Sequence, residues 1–85
     1  MKWTVIWLEE ARDELAELWI QATDRPEVSA AADWIDSALK HDPEHSGTDT
    51  LDGLFLIRGP LAVAYEVIPD DCLVRVLLVV RVEHE

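Results

Sequence analysis

The closing segment, Cys72 to Val82, constrains the chain most, because it alternates with a period of two along its whole length. Val74, Val76, Leu78, Val80 and Val82 fall on one face; Leu73, Arg75, Leu77, Val79 and Arg81 fall on the other. The first set is predicted to meet helices. The second carries both charges and is predicted to be only partly covered. So apolar a strand needs partners, and they precede it. Leu54–Ile57 reads as a short strand, Gly59-Pro60 as a turn, Leu61–Ile68 as a second strand and Pro69-Asp70-Asp71 as another turn.

Residues 2–8 are dense in aromatic and β-branched types and read as a further strand, with Trp3, Val5 and Trp7 opposite Thr4, Ile6 and Leu8. The period then becomes helical. Ala11, Leu15, Leu18, Trp19 and Ala22 share one side, which places Trp19 in the core, and Glu10, Asp13, Glu14 and Glu17 take the other. Thr23-Asp24-Arg25-Pro26 separates this helix from a second, with Asp24 as its side-chain cap, Pro26 early and Glu27 completing a capping box. Val28, Ala31, Ala32, Ile35, Ala38 and Leu39 form the second stripe, whose alanines allow close packing. From His41 to Thr50 the chain is polar, broken by Pro43 and Gly47, and reads as a mobile connection. The predicted fold class is α+β in the order β-α-α-β-β-β, with two helices packed on one face of a small, mainly antiparallel sheet. Residues 1–85 form one domain, since 85 residues with 49% apolar side chains support a single thin core.

Eighteen acidic against seven basic side chains give a formal charge of −11. The acids are spread along the chain, and such a surface repels phosphate backbones unless its few cations are gathered. This argues against direct nucleic-acid binding and favours a basic or amphipathic protein partner. One cysteine, Cys72, excludes an internal disulfide and suits a reducing compartment. Acids from Glu9 onward interrupt any signal-peptide core, and Val76–Val80 is far too short for a membrane span. The expected location is the cytoplasm, with no membrane partner.

No catalytic set emerges. His41 and His45 are four apart, but Pro43 between them breaks the helix that would align their rings, and His84 is terminal. No metal site or cofactor is expected. Ser29, Ser37 and Ser46 lack a nucleophile elbow, and Gly47, Gly53 and Gly59 form no phosphate loop. The scarce cations carry more information. Arg58, Arg75 and Arg81 are predicted to project from the sheet face away from the helices, as a candidate patch for an anion or carboxylate. Trp34, one place off the second helix's stripe, and Leu77 are candidate partner anchors.

Four segments together resemble the RelE/ParE superfamily of toxins from type II toxin-antitoxin systems, which include plasmid stabilisation proteins. They are Val5-Ile6-Trp7-Leu8-Glu9-Glu10-Ala11 with Asp13-Glu14-Leu15, Ala38-Leu39-Lys40-His41-Asp42-Pro43, Gly59-Pro60-Leu61-Ala62-Val63-Ala64-Tyr65-Glu66-Val67, and the valine-rich closing strand. The resemblance implies helices packed on a curved antiparallel sheet. It also implies a cognate antitoxin that wraps the toxin, and growth inhibition either by ribosome-dependent mRNA cleavage or by poisoning DNA gyrase. The cleaving members look basic, whereas this chain has Ala62 where an arginine often precedes the Val-x-Tyr segment, and Asp49 and Asp52 in place of lysines. Arg58 and Arg81 fall near positions that are basic in such members but do not complete a set. The expectation is therefore an acidic, diverged member that binds a protein target such as DNA gyrase, without enzymatic activity, and is neutralised by an antitoxin. A non-toxic binding or structural module of the same fold and an mRNA endoribonuclease are the alternatives, and homo-oligomerisation stays open.

Overall fold

The computed structural model describes residues 2–51 and 53–82. Its elements are β1 (Thr4–Trp7), α1 (Glu9–Gln21), α2 (Arg25–His41), α3 (Pro43–Ser46), β2 (Thr48–Thr50), β3 (Gly53–Arg58), β4 (Leu61–Ile68), a 3-10 turn (Pro69–Asp71) and β5 (Leu73–Arg81). The strands form one sheet in the order β1-β5-β4-β3-β2. Only β1 and β5 run parallel; β5-β4, β4-β3 and β3-β2 are antiparallel. The expected α+β order holds, with β2 added as an edge strand.

One face of the sheet is covered. Ile35, Leu39, Val28 and Ala31 of α2 and Ala11 of α1 pack against Leu56, Leu61, Val63, Tyr65, Val74, Val76 and Val79. Full burial of an aliphatic side chain as large as Ile35 or Leu39 contributes about 1.5–3 kcal/mol, so the α2 stripe holds the layers together. The alanines act as expected, with Ala31 buried at the contact. Trp3, Val5 and Trp7 line the edge of this core, while Ile6 is exposed on the opposite face.

The alternation of β5 does not run unbroken. Tyr65 pairs with Val76 and Ala64 with Leu78, so Leu77 is an extra residue in a β-bulge. Val74 and Val76 face the helices as predicted, but beyond the bulge the inward residue is Val79. Leu78 and Val80 turn outward and are exposed. A single inserted residue exchanges faces for everything after it.

The polar connection is more ordered than its composition predicts. Pro43 starts α3, is itself buried, and its carbonyl accepts the Tyr65 hydroxyl at 2.7 Å. Gly47 then lies against that hydroxyl so closely that a Cβ there would stand 2.6 Å from Phe55 O. Glycine is required here by space, and it lets β2 reach the sheet edge.

Candidate functional site

Strand register decides where the three candidate arginines go. Arg58 pairs with Leu61 across β3 and β4, and Leu61 pairs with Arg81 across β4 and β5. Directly paired residues share a face, so both arginines lie on the helix side beside buried Leu61. Arg58 sits over the Trp34 ring of α2, 4.6 Å from its centroid. Arg81 Nη2 donates to Asp24 Oδ2 at 2.9 Å. Arg75 alone takes the predicted outward face, and it is ion-paired with Glu66 on the neighbouring strand. The bulge turned Arg81 inward, and the three guanidinium groups do not converge.

The helices form a different feature. Leu15, Ala16, Trp19 and Ile20 of α1 face Val28, Ser29 and Ala32 of α2 across an apolar groove of about 580 Å³, with Arg12 and Asp33 also lining it. Trp19, expected in the core, is 42% exposed, and Ile20 is 60% exposed. The reason lies in the α1 C-terminus, which has no basic residue in its last turn. The carbonyls of that turn attract a cation from the next helix instead, although Trp19 O also accepts the Ala22 amide at 3.3 Å. Arg25 donates from Nε to Trp19 O at 3.0 Å and from Nη2 to Ile20 O at 2.9 Å. Its guanidinium stacks 4.7 Å from the Trp19 centroid, and the indole N–H donates to Ser29 Oγ at 3.1 Å. Trp19 is thus fixed on the surface, a preorganised apolar anchor. Nothing in its spacing distinguished it from a core residue; the missing C-terminal cation in α1 was the available signal.

Asp24 makes no side-chain cap, contrary to the capping-box expectation. Its carboxyl is taken by Arg81, whose hydrogen bond holds it below the usual carboxylate range against the opposing effect of burial. The acidic face of α1 is similarly used. Glu14 Oε1 accepts the Val79 amide at 3.3 Å, where β1 has ended and β5 would otherwise present a bare edge.

The outward face of the sheet has a relief of its own. Its floor is Ala62 and Ala64 on β4, flanked by Phe55 and Ile57 on β3 and by Leu78 and Val80 on β5. The flanking rows lie two strand spacings, about 10 Å, apart. Their bulk covers Ala62, which is buried without belonging to the core. Candidate anchor Leu77 is half-buried in the bulge, whereas Leu78 beside it is exposed. Trp34, the other candidate anchor, is exposed at 42% under Arg58.

The remaining candidates occupy ordinary positions. His41 Nδ1 lies 2.8 Å from Ser37 O, and His45 Nδ1 lies 3.0 Å from Asp42 Oδ1. Among the described residues no three His, Cys, Asp or Glu side chains are grouped to hold a metal. His84 and Asp52 lie outside those residues. Cys72 is half-buried at a left-handed position, φ 48°, just before β5. Burial pushes the Tyr65 phenol up from its ordinary value, opposed by a hydrogen bond with the Gly47 backbone. No helix among the described residues is long and apolar enough to cross a membrane.

No sequence family and no curated protein matches the chain. Solved structures do. A chain of the toxin-antitoxin complex RelBE2 from Mycobacterium tuberculosis superposes with a TM-score of 0.80 at 19% identity, covering 95% of this chain and 99% of that one. A chain of the chromosomal ParDE toxin-antitoxin system from P. aeruginosa gives 0.71 at 16% identity, covering 96% and 98%. At nearly full coverage of both partners and with TM-scores of 0.80 and 0.71, the chain has the fold of the RelE/ParE toxins.

Proposed function

We propose that this chain is the toxin-like component of a toxin-antitoxin pair, that it acts by binding a protein, and that an antitoxin segment neutralises it by lying in the α1–α2 groove. The observation that carries the reading is the pinned, exposed Trp19 beside Ile20 in an open apolar groove, on a fold shared with chains of toxin-antitoxin complexes. The groove suits the apolar side of an amphipathic segment. The exposed Asp33 on its lining suits a basic residue on that segment's flank.

A protein-binding rather than RNA-cleaving role is supported by the state of the cations. Arg58 stacks on Trp34, Arg75 is paired with Glu66, and Arg81 is bonded to Asp24. Phosphoryl chemistry on an RNA strand needs positive charge gathered around the reacting phosphate. The outward sheet face instead offers alanine, isoleucine, leucine and valine around Ala62.

The test is co-purification of the chain with the product of the adjacent gene, followed by titration calorimetry. Saturable binding that weakens on Trp19→Ala supports the proposal; no binding at micromolar concentration overturns it. Expression without that partner separates a toxin from a harmless module by growth arrest, and a gyrase supercoiling assay examines the target the ParE resemblance suggests. Cleavage of ribosome-bound message that disappears on Arg58→Ala would replace the reading with a ribonuclease.

A further inference from the structure

We infer that the outward face of the sheet is a self-association surface, occupied by a second copy of this chain in an isologous dimer. Its shape is self-complementary. The alanine trough on β4 lies beside the Leu78–Val80 ridge on β5, at the same heights along the strands, because Ala62 pairs with Val80 and Ala64 with Leu78. A two-fold axis parallel to the strands and midway between β4 and β5 sets each copy's β5 over the other's β4. Leu78 of one copy then sits over the half-exposed Ala64 of the other, and Val80 packs on the side chains that cover Ala62, within the rotation of about 30° that sheet twist imposes.

The charges follow the same symmetry. Glu66 and Arg75 pair across β4 and β5 on this face, one step further along the strands. The same axis places Arg75 of each copy over Glu66 of the other, so two internal pairs become a four-membered alternating cluster. This matters for a chain of charge −11, whose copies repel through most of their surfaces. Along β3, β4 and β5, from Ile57 to Arg75, this face carries one acid and one arginine, and it pairs them. Its border is acidic where Asp13 and Glu17 of α1 line a hollow with Val80, and the helical side beyond carries the exposed Glu27 and Asp33.

The inference stands apart from the antitoxin reading, which concerns the opposite side of the molecule. Sedimentation equilibrium of the full chain alone, from about 5 to about 500 µM, tests it without any partner. A few apolar residues per copy make a small interface, so the expected dissociation constant is on the order of 10–100 µM. Added salt should tighten it by screening the net repulsion. Ala64→Leu fills the trough from the outside and should weaken the dimer about tenfold or more. Arg75→Glu should weaken it as well, and the exchange Glu66→Arg with Arg75→Glu should restore it. Unfolding midpoints of each variant separate lost pairing from lost folding, and Leu78→Lys offers a second route to the same surface. A monomer at every concentration, or a dimer indifferent to both Ala64→Leu and Leu78→Lys, overturns the inference. So does a monomer whose Ala64→Leu variant loses affinity for the adjacent gene's product, since the face would then belong to that protein.

Discussion

Arg81 at the end of β5 donates to Asp24 in the α1–α2 turn, 2.9 Å apart in space and 57 residues apart in sequence. The bond ties the last strand to the point where the two helices meet. It also explains why Asp24 fails as a cap: its carboxyl has a charged donor in place of a backbone amide.

This pair makes stability depend on acid. Asp24 has a lower pKa folded than unfolded, chiefly through the Arg81 hydrogen bond. Its contribution is therefore fully present above the unfolded value of about 4 and lost as pH falls through the folded value. Thermal melts from about pH 6 to about pH 2 should show the native chain losing part of its lead over Asp24→Asn as the solution becomes acidic. A lead that stays constant over that range would mean the ion pair does not contribute.

Tyr65 has the opposite dependence. Burial raises its folded pKa, so the unfolded chain loses the phenolic proton first as pH climbs past about 10. Stability should fall from there until the folded phenol also ionises, and Tyr65→Phe should lack that step. At neutral pH the phenylalanine variant should be about 1–3 kcal/mol less stable, because Pro43 O loses its donor in a buried setting. Gly47→Ala should cost about 1–3 kcal/mol by overpacking both that hydroxyl and Phe55 O. Combined, the two changes should cost only slightly less than their sum, since removing the hydroxyl relieves one contact of the added methyl and leaves its 2.6 Å approach to Phe55 O. Denaturant melts of the four proteins read this out.

How much of this was legible in the sequence follows from what each feature depends on. Ile35, Leu39, Val74 and Val76 were placed correctly because burial of a helix stripe or strand face leaves a periodic trace. Leu77 leaves none: a bulge in a run of valines and leucines looks like one more alternating residue, yet it turned Arg81 inward and Leu78 outward. Trp19 was misplaced for a similar reason. Its spacing fits the core stripe, and what holds it at the surface is Arg25 and Ser29 of the next helix, signalled in α1 only by the missing cation of its last turn. The polar segment from His41 to Thr50 owes its order to contacts with Tyr65, which local composition cannot contain.

Arg58 and Trp34 should behave as a stacked pair. A double-mutant cycle of Arg58→Ala and Trp34→Ala should give a coupling of about 0.5–1 kcal/mol, as for exposed cation–π contacts. Zero coupling would show Arg58 free for another ligand, and would return it to the pool of candidate anion-binding groups.

The groove makes the most direct demand on function. Ile20 is 60% exposed and lies outside the buried core, so Ile20→Ser should shift unfolding by no more than about 0.5 kcal/mol. If the antitoxin segment covers the groove, the same change should weaken its binding about tenfold to a hundredfold, through a faster off-rate. Arg25→Gln should act less directly. It leaves the groove lining intact but removes the guanidinium that stacks on Trp19 and bonds Trp19 O and Ile20 O. Some affinity should then be lost to ordering the indole on binding. Kinetics of partner binding to the three proteins distinguish these effects from a change in charge alone. A charge effect would appear in the on-rate and fade with salt, whereas loss of a fixed anchor would appear in the off-rate and persist.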